Sequence, residues 1–409
     1  MQKEFEDRLL SSITSIEDFV EITRRGISTK SFLIYENIYK FIAGYIGKYN
    51  ETPSKDIITK SYPDFTCLEG GITKGEQKYL IDELLKSEVR HQAVEIINKG
   101  SDLVLQEDVY KGIDFLVTKL LSINKPTGYS RSLTDKESLK RLEDIKTRKE
   151  LVNKGIIVGL KTGLSIFDKN FLGWLPGNLI SIIGRLGVGK SWVVLWMGEI
   201  VYMEGKRVLF LSPELSIREV EDRWITLIGN KFGYSFPNSD LAIGKIDIEK
   251  YKEWAEIVSK RADWLTLDTY SGEPFTIGSI QYLVKEFNPD LLVVDGIELL
   301  QDEEKHKEKW ESMFSIAYGL KGIAQNNKIV VIATAQASRE AVDKMPELHH
   351  IALSDAIGRA SDIVIPMMQD KEKPNVRFIT IPKRRVGKVI NKRIEIEFNV
   401  NTGQIGEIV

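Results

Sequence analysis

The sequence predicts an α/β fold, a mostly parallel sheet with helices on both faces, preceded by an all-α region. Three observations predict it. From Ile156 onward, short runs of β-branched and apolar residues alternate with helical stretches, as in a parallel sheet covered on both sides. One such run, residues 178–183, leads into Gly184-Arg185-Leu186-Gly187-Val188-Gly189-Lys190-Ser191 and then into a helical stretch from Trp192. Upstream, residues 1–123 read as helical throughout, with apolar residues at helical spacing.

At 409 residues the chain is too long for one ordinary core, and two domains with a linker are expected. Its 42% apolar and 28% charged composition is that of a soluble globular protein. No apolar run approaches the roughly 18 residues of a membrane span, and the polar start is unlike a secretory signal. The single cysteine, Cys67, excludes an intrachain disulfide framework and lacks zinc spacing around it, so a cytoplasmic setting is expected. With a formal net charge of −2, a nucleic-acid site has to be a local patch or a ring built from several subunits.

The helical region, 1–123, divides into segments. Between 32 and 49, Ile34, Ile38, Phe41, Ile42 and Tyr45 recur at helical spacing, with Gly47 and Asn50 marking the end. Thr52-Pro53-Ser54 is a helix start ahead of Ile57 and Ile58. A long helix over 74–104 shows Ile81, Leu85, Val89, Ala93 and Ile96 on one face. Another over 107–122 carries Val109, Ile113, Leu116 and Leu120, and core packing is the reading for every stripe. Residues 124–156 form a linker: a Pro/Gly break, then a helix opened by Thr134 and Glu137 as a capping box. That helix is mostly charged with a thin apolar line, Leu139, Leu142, Ile145 and Val152. It is either a solvated connector or a helix that docks on another subunit.

Residues 157–409 carry the chemistry. Strands are expected at 178–183, 207–211, 264–268, 291–295, 329–334 and 363–367, with 377–382 and 392–398 as an antiparallel pair closing around Gly387. The segment 184–191 fits G-x-x-x-x-G-K-[ST], whose glycines let backbone N–H groups close around phosphate oxygens. Lys190 then reaches the β/γ-phosphates, Ser191 ligates Mg²⁺, and the helix N-terminus faces the anion. A nucleoside triphosphate is the expected ligand. Asp295, delivered at the end of an apolar strand, completes the metal site through water. Glu214, following the neighbouring strand, is favoured as the residue that activates the attacking water. Its rival, Glu298, is read as a surface acid at a helix start. Gln336 ends a strand where it can sense a γ-phosphate, and the loop after it, to about Ser354, offers Arg339 and Lys344 as nucleic-acid contacts or as solvated charges. Lys383, Arg384, Arg385, Lys388, Lys392 and Arg393 are either solvated surface or a device that reaches phosphates across a subunit boundary.

These residues resemble the DnaB family of hexameric replicative helicases, whose motor is RecA-like, over nearly the whole chain. Gly159 to Asp168 and Trp174 to Leu179 are similar to the family's entry into its motor domain. By resemblance, Glu214 is the catalytic glutamate, Asp295 the metal-binding aspartate and Gln336 the sensor. Lys383 and Arg385 stand in a Lys-x-Arg hairpin that reaches the neighbour's γ-phosphate. The resemblance implies ATP and Mg²⁺, a homo-hexamer on single-stranded or forked DNA, a separate primase and a helicase loader. The short length suggests a phage or plasmid version, working in the host cytoplasm if phage-encoded. Two departures stand out. Ala352-Leu-Ser-Asp355 replaces the family's Arg-Glu-Ser-Gly in the DNA-binding loop, and Gly296-Ile-Glu298 replaces a Tyr-Leu-Gln type sequence. The competing expectation is a RecA-like DNA-dependent ATPase, a recombinase, scaffold or loader, that does not unwind; the helical first domain and linker speak against it.

Overall fold

The structure, a computed structural model, describes residues 2–68, 70, 72–106, 109–123, 137–261, 264–268, 274–302, 306, 308–338, 341, 345–347 and 355–408. The chain divides into two compact units, Met1–Arg141 and Leu142–Val409, so the division falls inside the helix Glu137–Asn153.

The first unit is helical, with Gln2–Ser11, Ile16–Arg24, Glu36–Tyr49, Lys55–Ser61, Lys74–Gln106 and Val109–Ser122 as its α-helices. Leu9, Leu10, Ile22, Ile42, Ile58, Phe65, Leu80 and Leu84 form its core. Local signals set the boundaries. Ser54 caps the helix it precedes, and Asn50 ends the one before it in the left-handed conformation, φ 53°. That helix starts at Glu36 rather than near Phe32. The buried Glu6 carboxylate accepts the backbone N–H groups of Leu33, Ile34 and Tyr35 (2.8–3.3 Å), which commits them outside a helix ladder. The core reading of the last stripe needs correcting: Val109, Ile113 and Leu120 are exposed among the described residues.

The second unit is built on a ten-stranded sheet. Its strands are β1 (Leu179–Gly184), β2 (Val208–Ser212), β3 (Trp264–Asp268), β4 (Leu291–Val294), β5 (Val330–Gln336), β6 (Ile363–Gln369), β7 (Val376–Ile381), β8 (Lys383–Arg384), β9 (Ile390–Asn399) and β10 (Gln404–Glu407). The order is β10-β9-β7-β6-β1-β5-β4-β2-β3, with β8 beside β6. From β3 to β6 every pairing is parallel, and β6, β7, β9 and β10 pair antiparallel. Each parallel strand was expected to within two residues. Such strands read as unbroken apolar runs because both faces are covered. Ile180 and Ile182 join one core with the helices Lys190–Met203 and Ile217–Lys231, while Leu179 and Ile183 join the other with Ile277–Phe287 and Lys309–Asn327. This is the α/β RecA-like arrangement behind a helical first unit. The expected pair around Gly387 is β7 with β9, but the chain between them first pairs back on β6 as β8, through Ile363 with Arg384.

Candidate functional site

The segment 184–191, expected to cradle phosphate, lies where β1 ends. Gly184 is paired with Gln336, and Ala337 N–H donates to the Gly184 carbonyl (3.0 Å), so loop and β5 end side by side. Gly187 and Gly189 have φ of 74° and 98°, open in practice to glycine. Gly189 caps the helix Lys190–Met203, which aims its free N–H groups at the loop. Lys190 Nζ donates to the carbonyls of Gly184 (3.1 Å) and Arg185 (3.4 Å). Burial lowers its pKa, while the charges of Glu298, Glu214 and Asp295 hold it up. Arg185 donates to the Ala337 carbonyl (2.8 Å), a second tie between the loop and the segment that leaves β5.

Asp295 follows β4 and is 1% exposed. Its Oδ1 accepts from Thr334 of β5 at 2.9 Å, while Oδ2 is buried without a hydrogen bond. Burial raises the Asp295 pKa, with Ser191 and Thr334 favouring the charged form. An orphaned carboxylate oxygen near a serine hydroxyl is an all-oxygen donor set suited to a hard divalent cation, so the residues present fit Mg²⁺.

Glu214 stands beyond β2, exposed, and its charge is felt at both Lys190 and Asp295. Glu298 is not the surface acid expected from sequence. It begins no long helix; it lies half-buried in the 3₁₀ turn Ile297–Leu299 and accepts the Gln336 backbone N–H. Burial raises its pKa, and Lys190 is among the groups that hold it down. Gln336 is thus fixed from both sides, by Gly184 and by Glu298. Sequence reasoning also missed Arg223, which sits over the Trp192 ring (5.4 Å) and whose charge couples to Asp295 and Glu214. Its signal was an arginine among the apolar positions Val220, Trp224 and Leu227 of one helix.

Lys383 and Arg385 lie at the opposite edge. Arg385 N–H donates to the Asp362 carbonyl (2.9 Å), its Nε lies 3.2 Å from Asp362 Oδ1, and Asp362 N–H donates to the carbonyl of Leu179, the first residue of β1 (2.8 Å). Lys383 Nζ donates to the Gly358 and Arg359 carbonyls, and Arg385 to Arg359 (3.3 Å), at the end of the helix Asp355–Ala360. Arg339 and Lys344, the nucleic-acid candidates, lie outside the described residues.

The model of the DnaB-like helicase C-terminal domain matches residues 159–406, a span that contains every one of these groups. The chain belongs to that family. The replicative DNA helicase DnaB of Geobacillus stearothermophilus is 25% identical over 278 residues, 61% of this chain and 60% of that protein. That of Rickettsia prowazekii (strain Madrid E) is 23% identical over 377 residues, 86% of this chain and 73% of that protein. Against some of the curated DnaB relatives it matches, the chain therefore spans less than two thirds of their length. Among solved structures, that of a DnaB-like replicative helicase and its interactions with primase shares the fold over 99% of both chains, with a TM-score of 0.67 and 17% identity. A solved ATPase domain shares it over 68% of this chain and 99% of that one, with a TM-score of 0.59 and 21% identity.

Proposed function

We propose that this DnaB-family chain is the ATP-driven motor of a ring-forming replicative helicase, which translocates on single-stranded DNA and opens duplex at a fork. The observation that carries the reading is the division of the ATPase groups between two edges of one sheet. Gly184 to Ser191, Asp295, Glu214 and Gln336 gather at the C-terminal ends of β1, β4, β2 and β5, where open α/β sheets bind ligands. Arg385 and Lys383 stand at the start of β1 and β6. The six residues of β1 separate the edges by about 16 Å, beyond the reach of an arginine side chain. If these two act on a phosphate, it is one held by another subunit, which supports an assembly with its sites between subunits; the helical first unit favours the hexameric ring over the recombinase, scaffold or loader.

Mg²⁺ held by Ser191 and Asp295 would neutralise charge on the β- and γ-phosphate oxygens. Lys190 and the loop N–H groups bind the phosphates. Glu214 orients and deprotonates water, since it is the site carboxylate left exposed and untied to backbone. Gln336 reports on the γ-phosphate to the segment from Ala337, where DNA contacts by Arg339 and Lys344 belong in this reading. A separate primase and loader, and a cytoplasmic setting, complete the proposal. Strand displacement on a forked duplex with ATP and Mg²⁺ tests it: the wild type should unwind, and Lys190→Ala should lose most ATPase and all unwinding with the first unit still folded. ATPase stimulated by DNA without strand displacement would favour the alternative.

A further inference from the structure

Arg377 of β7 plays no part in the reading above, yet it touches the phosphate loop. Its Nε donates to the Val188 carbonyl at 2.7 Å. Its Nη1 donates to the carbonyls of Pro374 (2.6 Å) and Val376 (3.1 Å), so the guanidinium is held at both ends. The group lies over the Phe398 ring of β9, 4.2 Å from its centroid, and the residue is 6% exposed. Burial alone pushes its pKa down, to about 10, so it stays charged at neutral pH. Among the described residues no carboxylate pairs with it. A buried cation with only carbonyl partners is costly. An apolar side chain would have filled the same inward position, in line with Ile379 and Ile381.

The peptide that Arg377 grips is the one the loop most needs to hold still. Val188 C=O and Gly189 N–H share one planar trans unit and point in opposite directions. Gly189, at φ 98°, has the freedom to turn that unit over at little cost. A Cβ there would overlap the Phe398 ring, so the same aromatic that supports Arg377 also closes off the space behind the glycine. We propose that Arg377 is a positioning residue of the phosphate loop. It holds the Val188 carbonyl outward against Phe398, and thereby aims the Gly189 N–H into the loop to meet a phosphate oxygen of the nucleotide. This rests on reading 184–191 as the nucleotide loop.

The test is the affinity of the full-length chain for fluorescently labelled ADP with Mg²⁺, measured for Arg377→Met, Arg377→Lys and Lys190→Ala. Arg377→Met keeps length and packing over Phe398 but loses the donor, and should weaken ADP binding about tenfold, the worth of one charge-assisted hydrogen bond. Arg377→Lys, which can still reach the Val188 carbonyl, should recover most of that loss. A merely structural arginine would lower the melting temperature in both variants and leave the affinity of the folded protein alone. A folded Arg377→Met that binds ADP within about twofold of wild type overturns the proposal. Should that variant fail to fold, Phe398→Leu decides: about a fivefold loss of ADP affinity is expected, and unchanged affinity overturns the proposal. Lys190→Ala separates the two readings. If it binds ADP normally, the nucleotide loop itself is misassigned. If it loses ADP while Arg377→Met does not, only the positioning role falls.

Discussion

Two carboxylates, Glu214 and Glu298, both act on Lys190, but only Glu298 is tied to the backbone, at Gln336 N–H. The tie suits a residue that holds β5 in place, whereas Glu214 is exposed without such a tie, as a base that meets water needs to be. Glu214→Gln should therefore lower kcat by about 10² to 10⁴ with little change in nucleotide affinity. Glu298→Gln keeps an oxygen acceptor for Gln336 and should change kcat only a few-fold. Steady-state ATPase on the two variants checks this, and the reverse order of effects would exchange the roles. The loop that carries Lys190 and Ser191, and the strand end that carries Asp295, were legible because each follows a pattern set along one loop or one strand. Glu298, Arg223 and Arg377 were not, because each matters through the direction a half-buried or buried side chain takes once separate strands have come together. The inward place of Arg377 in an apolar strand was the trace it left in the sequence.

At the level of elements, the helices Lys190–Met203 and Ile217–Lys231 meet where the buried Glu199 lies 3.3 Å from the exposed Lys231. Glu199 is 1% exposed, and burial raises its pKa from 4.5 to about 7 against the pull of Lys231. A folded-state pKa above the unfolded one means that the folded chain holds the proton more tightly. The stability this group contributes is full below pH 4.5 and is lost as pH rises through 7, about 3 kcal/mol in all. Glu199→Gln should thus match wild type near pH 5 and unfold later than wild type at pH 8, as thermal unfolding of the motor unit would register. A wild type that gains stability over this interval relative to the variant would reverse the sign. The linker helix gives a second test at this scale. Leu142 and Ile145 are 45% and 51% exposed, while the Leu139 side chain lies outside the described residues. If this line docks on a neighbouring subunit, Asn at all three positions should shift the species seen by light scattering toward smaller masses with helicity unchanged. An unaltered mass would make the helix a solvated connector. Parallel strands could be read nearly to the residue because a strand buried on both faces leaves an uninterrupted apolar run. An amphipathic stripe is less informative: Val109, Ile113 and Leu120 repeat like core residues, but periodicity does not say what covers them. The two residues of β8 are too few to leave any pattern.

On the scale of the whole second unit, the edge that carries Arg385 lies a strand's length from its own chain's 184–191 loop, and so, in the proposed reading, catalysis and assembly become one question. Arg385 is held in the single chain by Asp362 and by the end of the helix Asp355–Ala360, the helix that follows the segment assigned to DNA contact. An arginine supplied by a neighbour stabilises charge that develops on the transferred phosphoryl group and is worth about 10³ to 10⁵ in rate, whereas binding of the unreacted nucleotide depends on it less. Arg385→Ala should accordingly bind a non-hydrolysable ATP analogue near normally and hydrolyse ATP at least about a thousandfold more slowly, with DNA present or absent. Doped into wild-type rings, it should silence sites that belong to wild-type chains while its own sites are completed by wild-type neighbours, so with independent interfaces activity should fall in proportion to the wild-type fraction. Mixed instead with Glu214→Ala, which damages a subunit's own site, it should recover part of the ATPase, because some interfaces then join an intact Glu214 to an intact Arg385. Rings that exchange subunits yet show no recovery would mean that Arg385 does not act across the interface, or that hydrolysis requires every interface at once. The doping curve separates these, since an all-interface requirement extinguishes activity with the first few variant subunits, whereas a misassigned Arg385 leaves activity in proportion to the wild-type chains.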